Sequence, residues 1–345
     1  MERQDKGMGF ILKYENIAWF NGKSVRILDR RVYPYRKNFV VCNSYEEVSQ
    51  AIADMVTQSG GPYTAAAMGM ALAASQCKDM PEAEQIAFLD KAAYSLSHAR
   101  PTTSAKMQVI TNECLELAKK ALEEGKCTTD TLFEYAYNSL QERYDAYKKV
   151  AKHLVGHFSK DGTVMTMCFA ETIIGTMLLE CHEQGKTPRF ICPETRPYLQ
   201  GARLTASVIS DMDFEVHVIT DNMPAFIMQR EKVEVFTSAA DVITMDGFVV
   251  NKVGTFQIAL AAHHWGIPYF VTGSPNKSHP TIDTVTIEER DQTHVTDIFG
   301  TRVVEKNVNA YYPAFDIVPP KFCNGVVTQK GVYSPYDLPR YFEEA

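Results

Sequence analysis

The stretch Thr163-Val-Met-Thr-Met-Cys168-Phe-Ala-Glu171-Thr-Ile-Ile-Gly175 decides how this chain is read. Its first five residues, Thr163 to Met167, form a short β-prone run. A cysteine follows, and then apolar residues at Ile173, Ile174, Met177, Leu178 and Cys181 recur at helical spacing. A strand that passes through a cysteine into a helix places the thiol at the carboxyl edge of a sheet, where open α/β sheets bind ligands. The second half of the chain therefore reads as built to present Cys168, with Asp246 as acidic partner, to one small substrate.

Downstream the pattern repeats. β-prone runs at Arg189–Cys192, Glu215–Thr220, Asp241–Met245 and Tyr269–Thr272 alternate with helical patterns over 172–185, 198–211, 223–230 and 253–265. Such alternation predicts a Rossmann-like parallel sheet with helices on both faces. Upstream the texture differs. Asn21-Gly22 between the β-prone segments Ile11–Phe20 and Val25–Leu28 signals a hairpin. Ser44-Tyr-Glu-Glu47 reads as a capping box opening a helix over Val48, Ile52, Met55 and Val56. The loop Ser59-Gly60-Gly61-Pro62 leads into an Ala-rich helix from Tyr63 to Gln76, and helices follow over 82–98, 104–124 and 129–157. The expected class is α/β: a small β unit plus helical bundle in residues 1–158, then a Rossmann-like parallel sheet in 159–345.

Apolar residues make up 45% of the 345 and charged residues 22%, enough apolar mass for full cores. A net charge of −7 argues against a general nucleic-acid or acidic-membrane binder, because no basic excess exists to neutralise phosphates. No run approaches the roughly 18 apolar residues of a membrane span. The opening Met-Glu-Arg-Gln-Asp-Lys6 lacks the apolar stretch of a signal peptide, so the cytoplasm is the expected compartment. Eight scattered cysteines without a C-x-x-C pair suggest neither a zinc site nor a disulfide framework. With no G-x-G-x-x-G or Walker pattern, no nucleotide cofactor and no metal are expected.

If the strands are parallel, the loops after them share one rim. That rim collects Cys168, the segment Glu194–Arg203 with Gln200, Asp221-Asn222, Asp246-Gly247, and Asn251-Lys252 before a helix start. A helix start with a lysine beside it suits a phosphate. A thiol and a carboxylic acid walled by Met167, Phe169, Met245 and Phe248 suit proton transfer. Nearby helix starts would lower the thiol pKa, and an apolar wall would keep the acid protonated. Each pick alone has a plainer reading. A Cys after a strand is more often structural, Asp246-Gly247 is a turn signal, Asp221-Asn222 a helix cap, Asn251-Lys252 a cap and a solvated charge, and Arg100 a loop charge. Their joint placement on one rim is what favours chemistry.

Glu194-Thr-Arg-Pro-Tyr-Leu-Gln-Gly-Ala-Arg-Leu-Thr205 resembles the E-T-R-P-x-x-Q-G-A-R-L-T signature of methylthioribose-1-phosphate isomerases. Thr220-Asp-Asn-Met223, Asn251-Lys-Val-Gly-Thr255, Ile287-Glu-Glu-Arg290, Pro313-Ala-Phe-Asp316 and Arg100-Pro-Thr102 match the same family, and the resemblance covers nearly the whole chain. The wider superfamily includes ribose-1,5-bisphosphate isomerase and the alpha, beta and delta subunits of translation initiation factor 2B. The resemblance implies aldose–ketose isomerisation of a pentose 1-phosphate, S-methyl-5-thioribose 1-phosphate or a 5-substituted analogue, in methionine salvage. It implies a homodimer and no cofactor, with the site in the cleft between the two domains. The family's T-H-C-N becomes Thr166-Met-Cys-Phe169, giving Cys168 as the catalytic cysteine. The catalytic Asp of G-A-D-R-I, ahead of N-K-I-G-T, is read here within a shortened Thr244–Lys252 segment as Asp246. Arg100, Gln200, Asn251, Lys252, Gly60 and Gly61 fall at substrate-lining positions, but the arginine of the family's R-G-A-P loop is replaced by Ser59. These departures leave two readings open: a changed substrate, or a non-catalytic sugar-phosphate or nucleotide sensor like the initiation factor subunits.

Overall fold

The computed structural model describes residues 3–100 and 104–343. The chain divides into two compact units, Met1–Asp145 and Ala146–Ala345. In the first, β1 (Ala18–Phe20), β2 (Val25–Leu28) and β3 (Phe39–Cys42) form an antiparallel sheet in that order. Asn21 Oδ1 accepts from the Lys23 and Ser24 amides at 3.0 and 2.9 Å, closing the predicted hairpin. The helices are α1 (Tyr45–Ala53), α2 (Gly61–Cys77), α3 (Glu82–His98), α4 (Ser104–Glu123) and α5 (Thr128–Val155), the last continuing into the second unit. Ser44 Oγ accepts from the Glu47 amide, and the Glu47 carboxylate reaches back to the Asn43 amide at 2.6 Å, a variant of the expected box. The alanines of α2 leave it buried almost all round, packed on α1, α3 and α4. Tyr14 packs edge-on to Tyr144 of α5 at 5.0 Å and donates to Gln141 Oε1 at 2.5 Å, pinning the N-terminal turns to that helix.

The second unit alternates strands and helices as the spacing predicts. Its elements are β4 (Thr163–Met165), α6 (Thr172–Glu183), β5 (Arg189–Pro193), α7 (Ala206–Asp211), β6 (Val216–Ile219), α8 (Pro224–Arg230), β7 (Val235–Ala239), β8 (Val242–Ile243), β9 (Val249–Lys252), α9 (Thr255–His264), β10 (Tyr269–Thr272), α10 (Thr293–Thr296), β11 (Asp297–Ile298), β12 (Thr301–Arg302), β13 (Phe315–Val318), β14 (Gly325–Thr328), β15 (Gly331–Tyr333) and α11 (Arg340–Glu343). Seven strands form one sheet in the order β15-β14-β10-β7-β4-β5-β6, parallel except at the edge strand β15. Its core is built on Met165, Ile191, Phe236, Tyr269, Val271 and Val326. No described helix is long and apolar enough to cross a membrane.

One strand differs from expectation. The sequence places the fourth parallel strand at Asp241–Met245; it lies at Val235–Ala239, almost wholly buried between β4 and β10. Val242–Ile243 instead pairs with β9 in a separate antiparallel sheet, β13-β9-β8. Both segments are β-prone in composition, and pairing on both sides selects the first. Asn251 and Lys252 consequently end β9 rather than lie in a loop before α9.

From β4 the sheet grows through β5 and β6 on one side and through β7, β10 and β14 on the other. The switch point between β4 and β7 is where such a sheet opens a crevice at its carboxyl edge. The loop after β5 closes on this edge through a π-helical turn, Gly201–Thr205. A Cβ on Gly201 would lie 1.9 Å from the Pro193 carbonyl oxygen and 2.9 Å from Thr195 Oγ1. Gly201→Ala should therefore destabilise this unit by about 1–3 kcal/mol, read as a lower urea midpoint. An unchanged midpoint would show that the turn has room to yield.

Candidate active site

Cys168 stands three residues beyond β4, at the switch point, with φ +59°. Its carbonyl accepts a hydrogen bond from the Thr205 hydroxyl, so the loop after β5 is tied to the cysteine. Glu171 at the start of α6 (φ +51°), Thr195 (φ +65°) and Leu199 (φ +57°) are also left-handed non-glycine residues on these two loops. Such backbone costs on the order of 1–3 kcal/mol per residue and persists where the surroundings over-determine it. Here Asp221, after β6, accepts from the Thr195 and Arg196 amides at 2.8 and 2.6 Å. The residue read as a helix cap is thus a clamp on the signature loop.

The Cys168 thiol is half-buried beneath fully buried Met167 and Phe169. Burial pushes its pKa up to about 11; Lys252 and the Phe169 amide pull it down, while Asp241 and Asp221 push it further up. The expectation of a lowered thiol pKa is therefore overturned: desolvation outweighs the nearby cation, and the resting group is a neutral thiol.

Asp246 does not take the place the sequence assigns it. It is exposed in the β8–β9 turn, where its carboxylate accepts from the Thr244 hydroxyl and from the Ile282 amide at 3.2 Å. It is not among the charges acting on the thiol. The carboxylate that follows the true parallel strand, β7, is Asp241, whose amide donates to the Val250 carbonyl at 2.9 Å. It does act on Cys168. The edge rule, applied to the misplaced strand, picks Asp246; applied to β7 it picks Asp241, which is also exposed.

Lys252 and Asn251 are both only 5% exposed. Lys252 donates to the Ala314 carbonyl at 2.7 Å and lies 4.6 Å over the Phe315 ring, so it is a buried cation rather than a solvated one. Asn251 Nδ2 donates to Thr255 Oγ1 at 3.1 Å. The start of α9 is not open to phosphate, because the Gly254 and Phe256 amides donate to Asp316 Oδ2 at 2.7 and 3.1 Å.

Gln200 is buried, and its Oε1 has no hydrogen-bond partner. Tyr312 Oη and Arg290 Nη1 are likewise buried without one. Burial pushes the Tyr312 hydroxyl up to about 12 against the pull of Arg290, and the same hydroxyl interacts with Cys168. Sequence reasoning missed both residues as site groups, although Arg290 lies in a stretch quoted for the resemblance and Tyr312 directly precedes another. Thr237 Oγ1 is a further orphan; with Thr166, Met167, Ser238 and Thr272 it lines a small cavity at the sheet edge. Among the described residues, no group of three His, Cys, Asp or Glu side chains is arranged to hold a metal.

The remaining sequence picks lie in the first unit. Gly60 caps α2 and Gly61 opens it, the helix beginning two residues earlier than predicted. Arg100 is half-buried two residues past α3, and Pro101 and Thr102 lie outside the described residues.

Asp316 generates a pH prediction. Burial lifts its pKa from 3.8 to about 6, although the Phe256 and Gly254 amides and Lys252 oppose this. A carboxyl raised on folding stabilises the fold below its unfolded pKa, and that contribution is lost as pH rises through the folded value. Unfolding free energy should thus lose at most ~3 kcal/mol across this window through Asp316. Asp316→Asn should flatten that fall in urea titrations at a series of pH values; an unchanged slope would assign the titration to another group.

A family model for the Initiation factor 2 subunit family matches residues 59–335. A methylthioribose-1-phosphate isomerase of Thermotoga neapolitana is 32% identical over 340 residues, covering 94% of this chain and 96% of its own. A putative methylthioribose-1-phosphate isomerase of Methanocaldococcus jannaschii is 34% identical over 333 residues, with 92% and 95% covered. Among solved structures, 5-methylthioribose 1-phosphate isomerase from Pyrococcus horikoshii superposes with a TM-score of 0.85 at 27% identity, covering 97% of this chain and 99% of that one. The delta subunit of translation initiation factor eIF-2B from A. fulgidus follows at 0.82 and 26%, with 95% and 99% covered. The chain belongs to the Initiation factor 2 subunit family and, within it, to the group of methylthioribose-1-phosphate isomerases, which are aldose–ketose isomerases.

Proposed function

We propose that this chain converts a pentose 1-phosphate from aldose to ketose, with S-methyl-5-thioribose 1-phosphate as the leading substrate. The observation that carries the reading is the place of Cys168. It sits at the switch point of the parallel sheet with Lys252, Asp241 and Tyr312 acting on it, beside a loop that carries the orphaned Gln200 carbonyl. These are groups a polar substrate would satisfy.

An aldose 1-phosphate carries the phosphate on its anomeric oxygen, so the ring opens by breaking the bond between C1 and the ring oxygen. Asp241, protonated, gives its proton to that oxygen as the bond breaks. Cys168, as thiolate, takes the proton from C2, leaving an enol across C1 and C2. The same proton returns to C1 while the C2 hydroxyl gives its proton back to Asp241. The product is the ketose with its phosphate still on C1, and both side chains are restored. Lys252 favours the thiolate. Asn251, Lys252 and Gln200 are assigned to phosphate and sugar hydroxyls. Eight free cysteines support a reducing, cytoplasmic compartment. Exposed Phe299 and Tyr311 support a homodimer through the second unit.

A neutral resting thiol and the likeness to an initiation factor subunit favour a second reading, a sugar-phosphate sensor without turnover. Following ketose formation by NMR separates the two. Cys168→Ser and Asp241→Asn should each lower kcat/KM by about 10²–10⁴-fold, and Asp246→Asn by less than about threefold. A large loss in Asp246→Asn with none in Asp241→Asn would return the acid's role to Asp246. Binding of pentose 1-phosphates with no turnover of any would establish the sensor.

The raised thiol pKa fixes the sign of the pH profile. In Asp241→Asn, where the acid no longer titrates, the residual kcat/KM should rise about tenfold per pH unit from about pH 6 to about pH 9, as the thiolate fraction does. A plateau beginning below about pH 8 would remove Cys168 as the base.

A further inference from the structure

We propose that Arg143 is a phosphate-binding residue, forming an anion subsite with the loop that opens α2. The inference deepens the proposed function and rests on it for the identity of the phosphorylated ligand.

Arg143 projects from α5, and its Nη1 donates to the Gly60 carbonyl at 2.9 Å. Its Nε and Nη2 are buried and have no partner among the described residues. These two nitrogens form one edge of the guanidinium, the fork that grips a carboxylate or phosphate with two parallel hydrogen bonds. On two other arginines that same edge is filled, although the Nε of Arg30 also lacks a hydrogen-bond partner. Arg31 holds the Asp29 carboxylate with Nε and Nη2 at 2.9 Å each, and Arg290 holds Glu288 at 2.8 and 3.2 Å. On Arg143, whose guanidinium lies 5.8 Å from the Tyr144 ring centroid, the edge is oriented by the Gly60 bond and has no hydrogen-bond partner among the described residues. A buried guanidinium with unmet donors is costly, and an anion relieves it.

The loop itself supplies independent observations. Thr57 is 0% exposed, and its Oγ1 has no partner. That hydroxyl occupies the space at the first residue of α2, 1.9 Å from where a Cβ on Gly61 would sit. Gln58 is 4% exposed with its Oε1 unpartnered, while its carbonyl accepts from the fully buried Arg30 at 2.6 Å. Arg30 Nη1 also lies 3.2 Å from that Cβ position, so a second guanidinium stands at the helix start. The N-cap, Gly60, contributes no side chain, and the 17-residue α2 presents its positive dipole end there. Two guanidiniums, a free hydroxyl and a helix start suit a phosphate group.

The test uses the full-length protein, with inorganic phosphate and a pentose 1-phosphate as separate probes in calorimetric titration. Wild type, Arg143→Lys and Arg143→Met are compared, with exposed Arg230→Met as control. Both probes should bind wild type, and Arg143→Met should weaken both by at least about tenfold. Arg143→Lys, which keeps the charge and loses the fork, should fall between, and Arg230→Met should match wild type. If Arg143→Met fails to fold, the lysine variant decides. Wild-type affinity for phosphate in either Arg143 variant, or no phosphate binding by wild type at millimolar concentration, overturns the proposal. Binding that depends on Arg143 without turnover of any pentose 1-phosphate upholds the subsite and removes the isomerase. Turnover whose KM ignores Arg143 does the reverse.

Discussion

Between β4 and β7 the sheet of the second unit reverses its direction of growth, and the chemistry of the site depends on that reversal. β4 pairs on one side with β5, through Thr163 and Arg189, and on the other with β7, through Val164 and Val235. The chain leaves these two neighbours toward opposite ends of the sheet, so their loops part and leave a crevice. Cys168 and Asp241 each follow one of the two strands. Asp221 arrives from β6 and is locked to the loop after β5 through two backbone amides. A carboxylate some 70 positions later in the chain thus acts on the Cys168 thiol without any local signal linking them.

The electrostatics of the crevice rest on a buried lysine. Lys252 donates to the Ala314 carbonyl and lies over the Phe315 ring. Its charge favours the thiolate and the Asp316 carboxylate together. Neither effect overcomes burial, so the sulfur rests protonated and Asp316 titrates near 6. A site poised in this way keeps its sulfur unreactive until something alters the local dielectric or charge. Burial against the apolar core is the cause, since it removes water that would otherwise solvate the thiolate.

Local rules carried the hairpin at Asn21, the Ser44 cap and the long helices of the first unit, because each depends on residues within a turn or two of one another. The alternation after Ser159 likewise gave the parallel sheet. Local rules fail where two β-prone segments compete: Val235-Phe-Thr-Ser-Ala239 and Val242-Ile243 differ in what pairs with them, which composition does not encode. That one misplacement carried the acid's role to Asp246, since the edge rule takes whichever carboxylate follows the strand. The thiol's direction failed for a related reason. Proximity to helix starts is legible in a sequence, whereas the depth of burial that outweighs it is a property of the folded unit. Tyr312, whose hydroxyl interacts with Cys168, and Arg290, which acts on Tyr312, were out of reach for the same cause, each more than a hundred residues from the cysteine.

The loop before α2 shows how a chain keeps a charge while changing where it comes from. The resembling family places an arginine in this loop, and this chain has Ser59 in a left-handed backbone (φ +56°). A guanidinium nevertheless reaches Gly60, carried by α5 and fixed by a carbonyl. An arginine borne by a loop must be ordered on binding, and that ordering opposes affinity. One anchored on a 28-residue helix and already bonded through Nη1 has lost most of that freedom on folding. Its remaining edge points where the helix dictates rather than where a flexible loop can follow. The exchange trades adaptability for preorganisation, so the direction of the open Nε–Nη2 edge is set by the axis of α5.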